Sequence, residues 1–530
     1  MANFLLHHLV QSQALKRPLA TALVHQNDSI NYQQLANQCQ HLSAILLHLG
    51  IQAGDHISIY LPKSNTTVAT FFAISLCRAV FIPINPVLKT RQVQHILQDS
   101  QSQLLITNSS RLKLLQHSIE QLASLRILLV DKTTVSFHFS NTNIQLFYLA
   151  DIFAPKVSTY TPLGIDTDTV AILYTSGSTG QAKGVMLSHR NLLSGAQSVC
   201  HYLKNTSEDK ILVVLPLSFD YGLSQISSAF FVGACVVLMD YLFAKDIITL
   251  IEKHQITALA AVPSLWIKLA SLTWPTPCSL RYFCNSGGAL PRSVLDQLIT
   301  ALPNAHPYLM YGLTEAFRST YVPPEALSTH KDAIGIAIPN AEVLVLREDG
   351  SECDIGEQGE LVHRGSLVAQ GYWNAPEQTA RYFRRYHNTQ YTTEIALWSG
   401  DIVQRDKDGY LYFIARKDNL IKTSGYRVSP EEIESLIQQC DLVKETLVLG
   451  IPHPELGQAI IAIFSSTKAS CEEDPSAQLK HYCQQHLPNY MQPMALFHSD
   501  ALPYNQNNKI DRQALFNHYQ NLYQKTDHAQ

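Results

Sequence analysis

No run of about 18 apolar residues occurs in the chain, so no membrane-spanning helix is expected. The opening, MANFLLHHLVQSQALKRP, has no basic stretch ahead of an apolar one and does not read as a signal peptide. The 10 cysteines are scattered singly and never form Cys-x-x-Cys, which argues against a zinc ribbon or a thioredoxin-like motif. They read as small core residues of a reducing compartment. The 22 histidines do not gather at metal-ligand spacings, and adjacent His7 and His8 read as surface residues. An excess of one charge is missing too. The net charge of -4 gives no sequence-wide case for nucleic acid or an anionic membrane. Repeats and low-complexity segments are absent. A soluble cytoplasmic protein is the expectation.

The 530 residues exceed one ordinary domain, and 46% hydrophobic residues supply ample core. Short apolar runs alternate with helical patterns through the first 300 residues: HISIYLP from His56, TTVATFFAISLCRA from Thr66, AVFIPINP from Ala79. That alternation predicts parallel sheets covered by helices. From about Ala341 to Tyr412 short strands with REDG and KDG turns predict an antiparallel β-subdomain. Beyond it, Ser429-Pro430-Glu431-Glu432 is a helix start, with a cap, an N-terminal proline and acids at the positive helix end. The fold class is therefore α/β: a large N-terminal domain of two α/β sheet subdomains plus a small β-subdomain (1–416), and a small α+β C-terminal domain (417–530).

The strand VAILYTS runs into a loop rich in Gly, Ser and Thr that ends on Lys183. Glycines let a backbone approach a ligand closely, and consecutive N–H groups can cradle phosphate oxygens. The Walker spacing is absent. An isolated loop of this kind is more often a flexible turn.

The string LYTSGSTGQAKGV resembles the signature of the adenylate-forming superfamily, which includes acyl-CoA synthetases, adenylation domains of peptide synthetases and firefly luciferase. MYGLTEA, GELVHRG with GYWN, WSGDIVQRDKDGYLYFIARKDNLIKTSGYRVSPEEIE and NNKIDR follow in that family's order, from Leu173 to Arg512. The string YGLTEAFRSTYVPPE also resembles acyl-CoA ligases associated with bacterial exosortase systems. The resemblance implies a mobile small domain and an AMP-forming acid–thiol ligase. ATP would activate a carboxylic acid as an acyl-adenylate, with pyrophosphate released, and the acyl group would pass to CoA or to a carrier-protein phosphopantetheine. The alternative is a stand-alone amino-acid adenylating enzyme that loads a carrier protein. A third reading, a catalytically dead relative, is disfavoured because Lys183, Glu315, Asp401, Arg416 and Lys509 are all present.

By the same resemblance, Thr175, Ser176, Gly177, Ser178, Thr179, Gly180 and Lys183 hold the ATP phosphates. Thr314 contacts the α-phosphate and Glu315 ligates Mg2+, a cation that prefers carboxylate oxygen. Gly287, Gly288 and Ala289 flank the adenine, and Tyr311 stacks on it. Asp401 accepts from the ribose hydroxyls, with Arg416 beside it. Lys509 bridges the carboxylate and α-phosphate in the transition state. Asp418 marks the hinge, and Lys422 and Gly425 lie on the segment that faces the site for thioester formation. Ala415 and Asn508 stand where the family commonly has glycine. Phe219, Asp220 and Arg318 are placed in the acid pocket. Two readings of Asp220 stay open: a partner for a substrate ammonium, or one half of an ion pair with Arg318. Arg318 could instead bind a polar or anionic tail, so fatty, aryl and amino acids all remain candidates.

Overall fold

A computed structural model describes residues 4–131, 137, 139, 143–149, 151, 164–175, 182–388, 392–416, 420–466, 474–504 and 510–524. A seven-stranded sheet has His56–Tyr60, Val80–Pro83 and Leu104–Thr107 at its centre, paired in parallel. Ile57 there lies between Phe81 and Leu104, and all three are fully buried, as expected for a parallel strand covered on both faces. A nine-stranded sheet runs through Lys210–Val213, Ala258–Ala261, Tyr282–Asn285 and His306–Tyr311, again in parallel. One hydrophobic core joins the two sheets. The helix Asn65–Leu76, buried around nearly its whole circumference, lies within that core; Ser64 caps it by accepting from the Thr67 N–H.

The helix Asp220–Val232 matters most for the site. Every residue from Tyr221 to Phe230 is buried, and Gly233 ends it in the left-handed conformation that favours glycine. Near its start, a Cβ on Gly222 would sit 2.0 Å from the Pro216 carbonyl oxygen. Only glycine lets the helix begin that close to the preceding loop.

A five-stranded antiparallel sheet follows, with Gln358–Gly365 between Ala341–Leu346 and Thr392–Arg405. Another five-stranded sheet, built on the long pair Val443–His453 and Gly457–Ser466, forms the C-terminal region with its own cores. The helix Pro430–Ile437 begins at Ser429, whose hydroxyl accepts from the Glu432 N–H. Among the described residues, no helix is long and apolar enough to cross a membrane.

Lys183–Ser188, to which the sequence reading gave no element, pairs antiparallel with Thr169–Thr175. One feature departs from that reading. His7 is not a surface residue: it is 1% exposed, with Nδ1 3.0 Å from the Ser75 hydroxyl. Burial pushes its pKa down to about 3. Burial likewise lowers His189 and His363 to about 4, and neither nitrogen of His363 has a hydrogen-bond partner.

These histidines stay neutral in the fold but take up protons near their ordinary value of 6.5 when unfolded. Stability is therefore complete above pH 6.5 and falls as the pH drops toward 4, by up to about 1.4 kcal/mol per pH unit for each group. The melting temperature should be lower at pH 5 than at pH 7.5, and less so in His363→Leu. A melting temperature that does not change over that range would contradict neutral burial.

Candidate functional site

The hairpin register places Thr175 opposite Lys183 at the base of the loop. Lys183 is 9% exposed, with its ammonium 5.7 Å from the centre of the Tyr372 ring. The expected phosphate-holding residues Ser176, Gly177, Ser178, Thr179 and Gly180 lie outside the described residues, as do Asp418 and Lys509.

Strand His306–Tyr311 delivers Tyr311, and the short turn Thr314–Ala316 after it delivers Thr314 and Glu315. Thr314 donates to Asp220 Oδ1 over 3.1 Å. Glu315 is buried. One of its oxygens accepts from the Tyr372 hydroxyl over 2.9 Å, and the other lies 3.4 Å from Arg427. Arg427 comes from the C-terminal region, so a charge pair crosses between the two parts of the chain.

Asp401 and Arg416 face each other across adjacent strands, and their side chains are 2% and 9% exposed. Asp401 Oδ1 is 3.0 Å from the guanidinium without an aligned hydrogen bond, whereas Oδ2 accepts from the Tyr311 hydroxyl. One buried carboxylate oxygen thus keeps acceptor capacity beside Tyr311, the chemistry a ribose hydroxyl requires.

The C-terminal hairpin, Ile421–Thr423 with Tyr426–Val428, reaches this ground. Its turn residue Gly425 has φ +83° and packs on Val262, which a Cβ would approach to 2.5 Å. The Gly425 Cα also lies 3.5 Å from where a Cβ on Gly287 would be. Tyr426 meets Phe219 edge-on at 5.1 Å and stacks on Tyr490 at 3.7 Å. The Lys422 ammonium lies 5.7 Å from the Tyr311 ring centre.

Between these pieces is a cavity of about 750 Å3, whose wall includes Thr175, Phe219, Asp220, Thr314, Arg318 and Gly425. Ser286 and Gly287 line it; Gly288 and Ala289 continue the same loop without lining it. Tyr311, Asp401 and Arg416 form a neighbouring cluster rather than part of that wall. In that wall, Arg318 Nη1 is 3.6 Å from Asp220 Oδ2, and Nη2 donates to Ser224 over 2.5 Å. Burial pushes the Asp220 carboxyl above the usual carboxylate range, opposed by the Arg318 charge and the Thr314 hydroxyl. The structure brings Asp220 and Arg318 together as an ion pair.

Sequence reasoning did not single out Arg427, Tyr372 or Tyr426. Each lay inside a motif already noticed, in SGYRV or GYWN, but a motif does not reveal which carboxylate its arginine will meet.

Arg416→Ala would leave Asp401 buried without its cation, which typically destabilises by about 3–5 kcal/mol. Urea unfolding should show the loss, and calorimetric titration should show weakened ATP binding. Unchanged stability would mean that the pair is not buried as described.

The family described as AMP-binding enzyme matches residues 10–373, and its C-terminal domain matches residues 432–509. The L-proline–[L-prolyl-carrier protein] ligase of Pseudomonas fluorescens is 30% identical over 96% of this chain and 98% of its own length. Tyrocidine synthase 1 of Brevibacillus parabrevis is 27% identical over 96% of the chain, which spans only 44% of that larger protein. The fold is shared with o-succinylbenzoate CoA synthetase of Bacillus subtilis, solved as a double mutant with a product analogue. The TM-score is 0.83, at 24% identity, over 96% of this chain and 98% of that one. The chain therefore belongs to the AMP-binding enzyme family, in both its main and its C-terminal domain, and is an adenylate-forming, AMP-forming ligase.

Proposed function

We propose that the enzyme joins a carboxylic acid to the α-phosphate of ATP with release of pyrophosphate, then transfers the acyl group to the phosphopantetheine thiol of a carrier protein with release of AMP. The observation that carries the two-step reading is the seating of the C-terminal hairpin: Gly425 closes against Val262 and Gly287 at the wall of the acid cavity, where only a glycine fits. A slender thiol arm passing along that glycine would reach the acyl carbonyl. The carrier-protein ligase that matches this chain over nearly its full length favours a carrier over free CoA as acceptor.

In this reading Lys183, Thr175 and the loop residues 176–180 hold the phosphates. Asp401 and Arg416 hold the ribose, and Tyr311 packs on adenine beside the strip Gly287, Gly288 and Ala289. The first step brings two anions together, so cations and oriented donors carry most of the catalysis. Thr314 and Lys509 contact the α-phosphate, with Lys509 entering from residues 417–530 as they swing about Asp418. Glu315 fits a magnesium ion: its carboxylate is a hard donor, and Arg427 already answers its need for a positive charge. Bound there after Arg427 withdraws, the ion would draw charge from the phosphate oxygens. When the domain swings back, Arg427 returns to Glu315, and Lys422 and Gly425 face the site.

The Asp220–Arg318 pair favours an acid without an ammonium group, because each charge already has its partner. A panel of fatty, aryl and amino acids in ATP–pyrophosphate exchange tests this; strong exchange with amino acids alone would overturn it, and no exchange with any acid while ATP binds would leave only the dead-relative reading.

Lys509→Ala should abolish exchange and leave ATP binding intact, whereas unchanged exchange would remove Lys509 from the first step. Gly425→Leu should retain exchange but lower thioester formation by about a hundredfold. Comparing holo-carrier protein with CoA in that assay identifies the acceptor.

A further inference from the structure

The helix Thr90–Asp99 lies beside the strands that enter and leave the phosphate loop, and its groups bond to both. His95 Nε2 is 2.9 Å from the Ala182 carbonyl oxygen. A carbonyl only accepts, so Nε2 carries the proton and the imidazole donates. Asp99, four residues on and so on the same face of the helix, accepts from the Tyr174 hydroxyl over 2.5 Å. The Asp99 carbonyl accepts from the Trp373 indole over 2.9 Å, and the Trp373 backbone N–H donates to the Gly184 carbonyl over 2.7 Å.

Tyr174 stands on the strand that enters the loop, and Ala182 and Gly184 flank Lys183 where the chain leaves it. One helix thus ties both arms. These ties are not ladder bonds between strands. The hairpin ladder ends with Thr175 opposite Lys183, and Ala182 lies one residue past that end. Its carbonyl is held by an imidazole instead of a neighbouring strand. Asp99 is the last residue of its helix, where the helix dipole disfavours an acid. What it gains there is the Tyr174 hydroxyl. The His95 ring also meets the Tyr174 ring edge-on at 6.4 Å.

Tyr174, Thr175 and Ala182 line the cavity, and His95 does not. Any effect of His95 on a ligand therefore passes through the backbone it holds. A loop of glycine, serine and threonine has little side chain with which to fix itself. Holding its ends in advance spares part of the ordering cost of binding.

We propose that the helix Thr90–Asp99 is the bracket of the phosphate loop and that His95 is a positioning residue for ATP: by holding the Ala182 carbonyl it fixes the backbone next to Lys183 and aims that ammonium at the departing pyrophosphate. The proposal rests on the reading above, in which Lys183 and residues 176–180 hold the phosphates while Thr314 and Lys509 serve the α-phosphate.

Calorimetric titration of the full chain with Mg-ATP, and separately with AMP, tests this without knowledge of the acid. His95→Ala should weaken ATP binding by about tenfold, the scale of one hydrogen bond to a charged group. AMP binding should not change, because AMP lacks the two phosphates that the loop would hold. His95→Gln, whose amide can donate from a similar position, should restore most of the ATP affinity. Tyr174→Phe removes the other tie and keeps the ring; it should show the same loss for ATP alone, and it carries the test if His95→Ala does not fold. In ATP–pyrophosphate exchange with the most active acid of the panel, KM for ATP should rise in His95→Ala and KM for the acid should not. Equal losses for ATP and AMP would make His95 a general structural residue and overturn the proposal. Unchanged ATP binding in either variant, or no recovery with glutamine, would overturn it as well. No exchange by the unaltered enzyme with any acid would overturn acid activation, and the split between ATP and AMP would still decide the bracket.

Discussion

A carboxylate withdrawn from water needs a cation or several donors beside it, because its lost hydration is worth far more than a typical contact returns. Three carboxylates in this site meet that need with an arginine each: Asp220 with Arg318, Glu315 with Arg427, Asp401 with Arg416. The pairs are not equivalent. Asp401 and Arg416 sit on neighbouring strands, so the backbone ladder fixes their approach. Asp220 and Arg318 come from the start of a buried helix and the loop after a central strand. Glu315 and Arg427 join different parts of the chain.

That last pair ties electrostatics to domain arrangement. Arg427 reaches Glu315 only because the hairpin of residues 421–428 lies against the large domain, and it lies there only because Gly425 has no side chain to strike Val262. A carboxylate that pairs with a mobile arginine can take a metal cation when the arginine leaves. In the proposed cycle, one residue thereby serves two half-reactions without an unpaired buried charge in either. The Asp220–Arg318 pair has no such freedom, since Arg318 also holds Ser224 and stacks on Tyr221.

Much of the fold was legible in the sequence. Short, mostly apolar runs such as those around Ile57 and Leu104, alternating with helical patterns, declared parallel strands covered by helices. Ser429-Pro430 declared a helix start, which formed as read. The antiparallel return of Lys183–Ser188 was not legible. A short apolar run after a glycine-rich loop suits a strand or a helix equally, and sheet pairing decides between them. His7 was misplaced for a related reason: polarity suggests a surface, but a neutral imidazole with one hydrogen bond can be buried when packing requires it.

By itself, the sequence determined the family chemistry, because motif order requires no coordinates: a phosphate loop, a carboxylate-bearing turn and a closing segment mean the same reaction wherever they occur in that order. Only the tertiary structure decided which charges meet. Residues 98 positions apart, such as Asp220 and Arg318, become partners through sheet topology.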